Sequence, residues 1–97
     1  MKYIYKITYP NGKIYIGQDR VGEITYFGSV DPDLVRKDFT EDDMRDFTVR
    51  KQILWQLDDA TVEEINEKEM ELIMKYQSNN PNVGYNQRPK YRRKNNQ

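Results

Sequence analysis

Apolar residues dominate two short runs, Tyr3-Ile4-Tyr5-Lys6-Ile7-Thr8-Tyr9 and Lys13-Ile14-Tyr15-Ile16-Gly17, broken only by Lys6, Thr8 and the opening Lys13. Both runs are rich in β-branched and aromatic residues and predict strands. Pro10-Asn11-Gly12 between them suits a three-residue connection: Pro and Asn take the centre of a type I turn, and Gly takes the left-handed position of a bulge. That turn pairs Tyr9 with Lys13, Ile7 with Tyr15, and Tyr5 with Gly17. Tyr5, Ile7, Tyr15 and Gly17 then share one face, with Ile4, Ile14 and Ile16 on the other, the expected core face. A two-residue Asn-Gly turn would instead shift the pairing and separate Tyr5 from Tyr15.

Residues 18–30 read as a loop with a short extended piece around residues 24–27, closed by Gly28-Ser29. Asp31-Pro32 looks like an N-cap followed by Pro at the first helical position, opening a helix through Leu34, Val35 and Phe39. Thr40 with Asp43 imitates a second cap. Phe47, Val49, Lys51, Ile53 and Trp55 alternate with mostly polar residues and predict a third strand. Thr61 followed by Glu64 is a capping box that opens a helix to about Tyr76, ended by Ser78-Asn79-Asn80-Pro81.

Composition narrows the chemistry. The 97 residues suit one small domain. No stretch approaches the ~20 apolar residues of a membrane span, and Met1-Lys2-Tyr3-Ile4 opens no signal peptide. There is no Cys and no His, which removes disulfides, thiol nucleophiles, the usual zinc sites and the commonest general base. Any catalysis falls to Tyr, Lys, Arg, Asp, Glu, Asn, Ser or Thr, and eight Tyr exceed what a small core requires. A reducing cytoplasm is the natural compartment. The formal net charge is zero but unevenly spread: residues 31–46 carry seven acids against three bases, and residues 57–72 carry seven acids and one Lys. Residues 87–97 hold Arg88, Lys90, Arg92, Arg93 and Lys94 without an acid. Such a tail suits contact with a polyanion, or equally a solvated and disordered terminus.

One carboxylate stands out. Ile65, Leu72, Ile73 and Tyr76 form an apolar stripe on the last helix, and Glu69 lies on it, four residues from both Ile65 and Ile73. A carboxylate facing a sheet needs a partner, because burying it bare costs several kcal/mol. It is either a core pair with Arg or Tyr, or a lone oxygen ligand for a hard divalent cation such as Mg²⁺.

Tyr3-Ile4-Tyr5, ten residues from Tyr5 to Tyr15, and Tyr15-Ile16-Gly17 together resemble the paired motif of the GIY-YIG nuclease family, with Tyr3 in place of the first Gly. Tyr26-Phe27-Gly28-Ser29 followed by Leu34-Val35-Arg36 resembles a stretch of the phage homing-type members. Glu69 with Leu72-Ile73, followed by Gly84-Tyr85-Asn86, resembles the family's Glu helix and closing segment. The resemblance spans about residues 3–86. It implies an α+β fold over residues 1–87, a small three-stranded antiparallel sheet flanked by helices, with residues 88–97 as a basic, flexible tail. It further implies an endonuclease hydrolysing DNA phosphodiesters with one Mg²⁺ or Mn²⁺, encoded by a phage or mobile element and acting in the cytoplasm of a bacterial host.

Carried over by motif, the site residues are Tyr5, Tyr15, Arg36, Glu69 and Asn86. Tyr5 is expected as the base with Tyr15 orienting it, though the two can exchange; Glu69 holds the metal, and Asn86 positions Glu69 or the phosphate. Arg36 donates to phosphate oxygens, with Arg20 as its rival. Thr40 stands where many members have His or Tyr, a role Tyr26 can fill. Gly17 leaves room for the phosphate, and Lys90, Tyr91, Arg92, Arg93 and Lys94 grip the DNA backbone. Local alternatives remain: Arg36 as a surface ion pair with Asp33 or Glu41, and Asn86 as a turn residue. So do two other classes: a DNA-binding module without turnover, and a protein-interaction domain using segments 31–46 and 57–72. Sequence selectivity and double-strand cutting would call for a homodimer or an auxiliary DNA-binding protein.

Overall fold

A computed structural model describes residues 2–23, 27–28 and 30–92 of the chain. Its elements run β1 (Lys2–Thr8), β2 (Ile14–Asp19), α1 (Pro32–Arg36), α2 (Glu41–Met44), β3 (Arg50–Leu57) and α3 (Val62–Tyr76). The architecture is α+β, a three-stranded antiparallel sheet in the order β2-β1-β3 with helices beside it. No described helix is long and apolar enough to cross a membrane.

The hairpin has the register that its turn chemistry predicts. Gly12 is left-handed (φ 87°) and donates to the Tyr9 carbonyl at 2.8 Å, and the Tyr9 amide donates to the Lys13 carbonyl at 2.9 Å. Tyr5 faces Gly17 and Ile7 faces Tyr15 across the ladder. The capping box of α3 also forms: the Glu64 amide donates to the Thr61 hydroxyl at 3.1 Å, and the Thr61 amide donates to the Glu64 carboxylate at 2.9 Å. The helix stops at Gln77, which is left-handed at φ 56°. Its Ile65, Leu72 and Ile73 pack on Ile4 and Ile16, each buried side chain contributing about 1.5–3 kcal/mol.

The sheet is covered on both faces, not on the Ile face alone. Tyr5, Ile7, Tyr9 and Tyr85 form a second core, closed by Leu34, Val35, Phe39, Phe47 and Val49. Tyr9 meets Tyr85 edge-on with ring centroids 5.1 Å apart, and Phe39 meets Phe47 at 4.9 Å, a favoured aromatic geometry. Short pieces build this layer. Helix α1 has five residues and ends at Arg36, before Phe39. The Thr40–Asp43 pair is a complete capping box that opens the four-residue α2.

The alternation expected through Trp55 breaks within β3. A bulge lets Ile53 face Tyr5 and Trp55 face Ile4, so Leu54 is the extra residue. Leu54 and Trp55 therefore pack in the Ile4 cluster, while Phe47 and Val49 pack in the Tyr5 cluster. The two sheet edges also differ. Along β2, Ile14 donates to the Val83 carbonyl at 3.1 Å and accepts from the Tyr85 amide at 2.9 Å. A Cβ at Gly84 would run into the carbonyl oxygens of Ile14 and Ser78, so the crossing admits only glycine. The extended piece expected around residues 24–27 lies mostly outside the described residues, as do Tyr26, Ser29, Arg93 and Lys94; Phe27 belongs to no strand.

Candidate functional site

The hairpin register puts two phenols side by side. Tyr5 is 1% exposed, and its hydroxyl fills the space over Gly17, where a side chain would meet both it and the Tyr15 ring. Gly28 covers the pair from the loop: at φ 92°, its Cβ would lie 2.6 Å from the Tyr5 hydroxyl and 3.0 Å from Cε2 of Tyr15. The room at Gly17 is thus taken by Tyr5, not left open for a phosphate. Lys51 of β3 stands over the Tyr5 ring, 5.0 Å from its centroid.

Tyr15 and Glu69 line one cleft of about 350 Å³, together with Asn86, Arg88 and Asp31. Periodicity on α3 brings Glu69 there: Ile65 and Ile73 are buried against the sheet, and Glu69 between them is half-buried at the β2 edge. Gln18 of β2 donates to its carboxylate at 3.1 Å and to Asn66 at 2.9 Å. Arg20 in turn donates to Gln18 at 2.7 Å and to Asn66 at 3.4 Å. Burial pushes the Glu69 carboxyl above its ordinary pKa, while the Gln18 bond and the Arg20 charge pull it part of the way back. Among the described residues no group of three or more acidic side chains is placed to hold a metal ion.

Asn86 reaches the cleft in an unexpected manner. Its carbonyl oxygen accepts from the Ile16 amide and its amide donates to the Ile16 carbonyl, both at 2.8 Å. The side chain acts as one more rung beside β2 and fixes the strand between Tyr15 and Gly17. It therefore braces the strand that carries Tyr15, and its described bonds go to Ile16 and not to Glu69. Arg36 is not brought to this cleft. Its guanidinium is exposed and pairs with Asp33 at 3.4 Å, and it lines a separate groove with Tyr9 and Phe39. Arg20, its rival, lies nearer Glu69.

A polar lock behind the cleft has no counterpart in the sequence reading. Tyr85 donates to Asp38 at 2.7 Å and accepts from Asn11 at 3.0 Å, and Lys13 pairs with Asp38 at 2.9 Å. Burial, then the Asp38 bond, pushes the Tyr85 hydroxyl up to about 12. The Lys13 and Tyr85 bonds hold the Asp38 carboxyl below its ordinary value. Asp38 was one acid among seven in its segment, and nothing local distinguishes it. In the C-terminal segment, Asn79 donates to the Pro89 carbonyl at 2.7 Å; Lys90, Tyr91 and Arg92 are exposed. Lys90 and Tyr91 line a groove that continues past Asn86. No family model matches the chain, and neither the curated proteins nor the solved structures compared with it give a match.

Proposed function

We propose that the chain is a divalent-metal-dependent endonuclease of the GIY-YIG type, hydrolysing DNA phosphodiester bonds in the cytoplasm of a bacterial host. One observation carries the reading: Tyr15, Glu69 and Asn86, distant in sequence, line one cleft, with the Tyr5 hydroxyl beside the Tyr15 ring. Hydrolysis needs an activated water, stabilised phosphate oxygens and a neutralised leaving oxygen. A tyrosine with an ordinary pKa near ~10 is a weak base alone, so a pair that shares the proton is the more effective arrangement. Here Tyr15, on the cleft wall, meets the water, and enclosed Tyr5 orients it, the reverse of the order expected from sequence. Arg88 on the same wall offers the planar fork suited to phosphate oxygens. Arg36 must leave Asp33 to take part.

The residues fit a Mg²⁺ or Mn²⁺ ion held by one carboxylate. Such ions take oxygen donors and complete their shell with water and phosphate oxygens, and the half-buried Glu69 carboxylate receives one described protein hydrogen bond. When bound, the ion supplies positive charge beside the phosphate and the leaving oxygen. Lys90, Tyr91 and Arg92 then contact flanking phosphates, which positions DNA without reading its sequence.

Plasmid cleavage in Mg²⁺ tests the proposal. Glu69→Gln is expected to slow nicking by at least ~10²-fold while leaving the fold intact by circular dichroism; unchanged nicking overturns it. The outward Arg36 favours a second reading, a module that binds DNA without turnover. Salt-dependent binding with no nicking in the wild type would select that one.

A further inference from the structure

We infer that Gln18 is a positioning residue for the candidate metal ligand: its side-chain amide, fixed in one orientation by Arg20 and Asn66, engages Oε1 of Glu69 and leaves Oε2 for a divalent cation. The inference rests on the reading of Glu69 as that ligand and adds the group that orients it. Two periodicities bring the four side chains together. Gln18 follows Ile16 by two residues on β2, so it stands on the face that meets α3, and Arg20 continues that side beyond the strand end at Asp19. On α3, Asn66 and Glu69 are three residues apart and share one face of the helix.

The hydrogen bonds admit one orientation of the Gln18 amide. Its nitrogen carries two protons: one goes to Oε1 of Glu69 at 3.1 Å and the other to Oδ1 of Asn66 at 2.9 Å. Its oxygen accepts from Nε of Arg20 at 2.7 Å, and a second nitrogen of the same guanidinium donates to Oδ1 of Asn66 at 3.4 Å. Reversing the amide sets its oxygen against two acceptors and its nitrogen against a donor, which loses three bonds. The partner of Glu69 is also neutral. Glu69 is in none of the ion pairs among the described residues, and Arg20 reaches it through Gln18. A lysine in place of Gln18 would pair with the carboxylate and compete with a bound cation; an amide orients the carboxylate and leaves its charge in place. The choice of oxygen also bears on the choice of ion. Ca²⁺ readily takes a carboxylate through both oxygens, while Mg²⁺ needs near-ideal octahedral geometry and keeps several waters. Engaging Oε1 therefore works against the larger ion.

Mn²⁺ binding to the full chain, read from the free-ion electron paramagnetic resonance signal and by competition with Ca²⁺, tests this role without a cleavage assay. The wild type is expected to bind Mn²⁺ at a site that Glu69→Gln abolishes and from which Ca²⁺ displaces it poorly. Gln18→Leu is expected to weaken Mn²⁺ binding by ~10–100-fold and to narrow the preference over Ca²⁺, with circular dichroism unchanged. Arg20→Met, at an exposed position, keeps the amide but frees it to turn, and is expected to give a smaller loss in the same direction. Should Gln18→Leu fail to fold, Arg20→Met carries the test. Unchanged Mn²⁺ affinity in either folded variant would overturn the inference while leaving Glu69 as the ligand. Equal loss of Mn²⁺ and Ca²⁺, the mark of a packing defect, would overturn it in the same way. A wild type that binds no Mn²⁺, or whose Mn²⁺ binding survives Glu69→Gln, would overturn the underlying reading of Glu69 as well.

Discussion

The two faces of the sheet use the same strands for different ends. On one, Ile4 and Ile16 meet Ile65, Leu72 and Ile73, a layer of aliphatic side chains that asks only for volume. On the other, Tyr5, Tyr9 and Tyr85 carry hydroxyls into the interior, and each must find a partner. Tyr85 finds Asp38 and Asn11. The Tyr5 hydroxyl is enclosed by Gly17, Gly28 and the Tyr15 ring. The aliphatic face confers stability; the aromatic face fixes groups that can do chemistry. Glu69 is the exception that joins them, since it sits on the aliphatic helix but opens onto the cleft that Tyr15 lines.

The comparison is broken most sharply by Glu69→Gln. Nicking is expected to fall by at least ~10²-fold, yet stability at pH 7 is expected to rise. The sign follows from protonation: burial raises the folded pKa of Glu69 above its unfolded value. The folded state thus binds the extra proton, and its advantage is full below the unfolded pKa and lost as pH rises through the folded one. The neutral amide escapes that loss. Urea unfolding of the variant from pH 4 to 8 would show a flatter profile than the wild type; a parallel profile would mean that Glu69 is not desolvated.

Next in size is Ile65→Ala on the aliphatic face, expected to lose about 2–5 kcal/mol in urea unfolding. Ile65 is fully buried, and a loss well under that range would mean the helix can collapse onto the sheet. Gly17→Ala attacks the aromatic face. Its new methyl meets the Tyr5 hydroxyl and the Tyr15 ring, so a loss of about 1–3 kcal/mol is expected. Tyrosine fluorescence would shift with it, and an unperturbed spectrum would place the two phenols farther apart.

Much of this was legible because it is local. Pro10-Asn11-Gly12 sets the hairpin register within three residues, and Thr61 and Glu64 cap α3 within four. Glu69 betrayed itself by helical spacing. Arg36 had its local alternative, the Asp33 ion pair, and that contact is the one formed. What could not be read depends on segments far apart. The Asn86 amide meets Ile16 across 70 residues, and the Tyr85–Asp38 bond spans 47. The bulge at Leu54 leaves no mark in an apolar run where Ile53, Leu54 and Trp55 each suit either face.

Two smaller changes sharpen the role of those distant contacts. Asn86→Ala removes both bonds to Ile16 and is expected to cost about 1–3 kcal/mol, with nicking reduced through the misplaced tyrosines; equal stability would return Asn86 to a turn residue. Asp38→Asn is the mildest, at about 1 kcal/mol or less. The folded pKa of Asp38 is depressed, so its contribution is present above the unfolded value near ~3.9 and fades as pH falls through the folded one. The variant and wild type should therefore converge in acid, and a gap that persists there would contradict the sign.

Paramagnetic Mn²⁺ titrated into the isotopically labelled chain tests the central claim most directly. Resonances of Glu69, Tyr15 and Asn86 should broaden first and together, and Glu69→Gln should abolish the effect. Broadening confined to the acidic run of residues 41–46, or broadening at the cleft that survives Glu69→Gln, would contradict it.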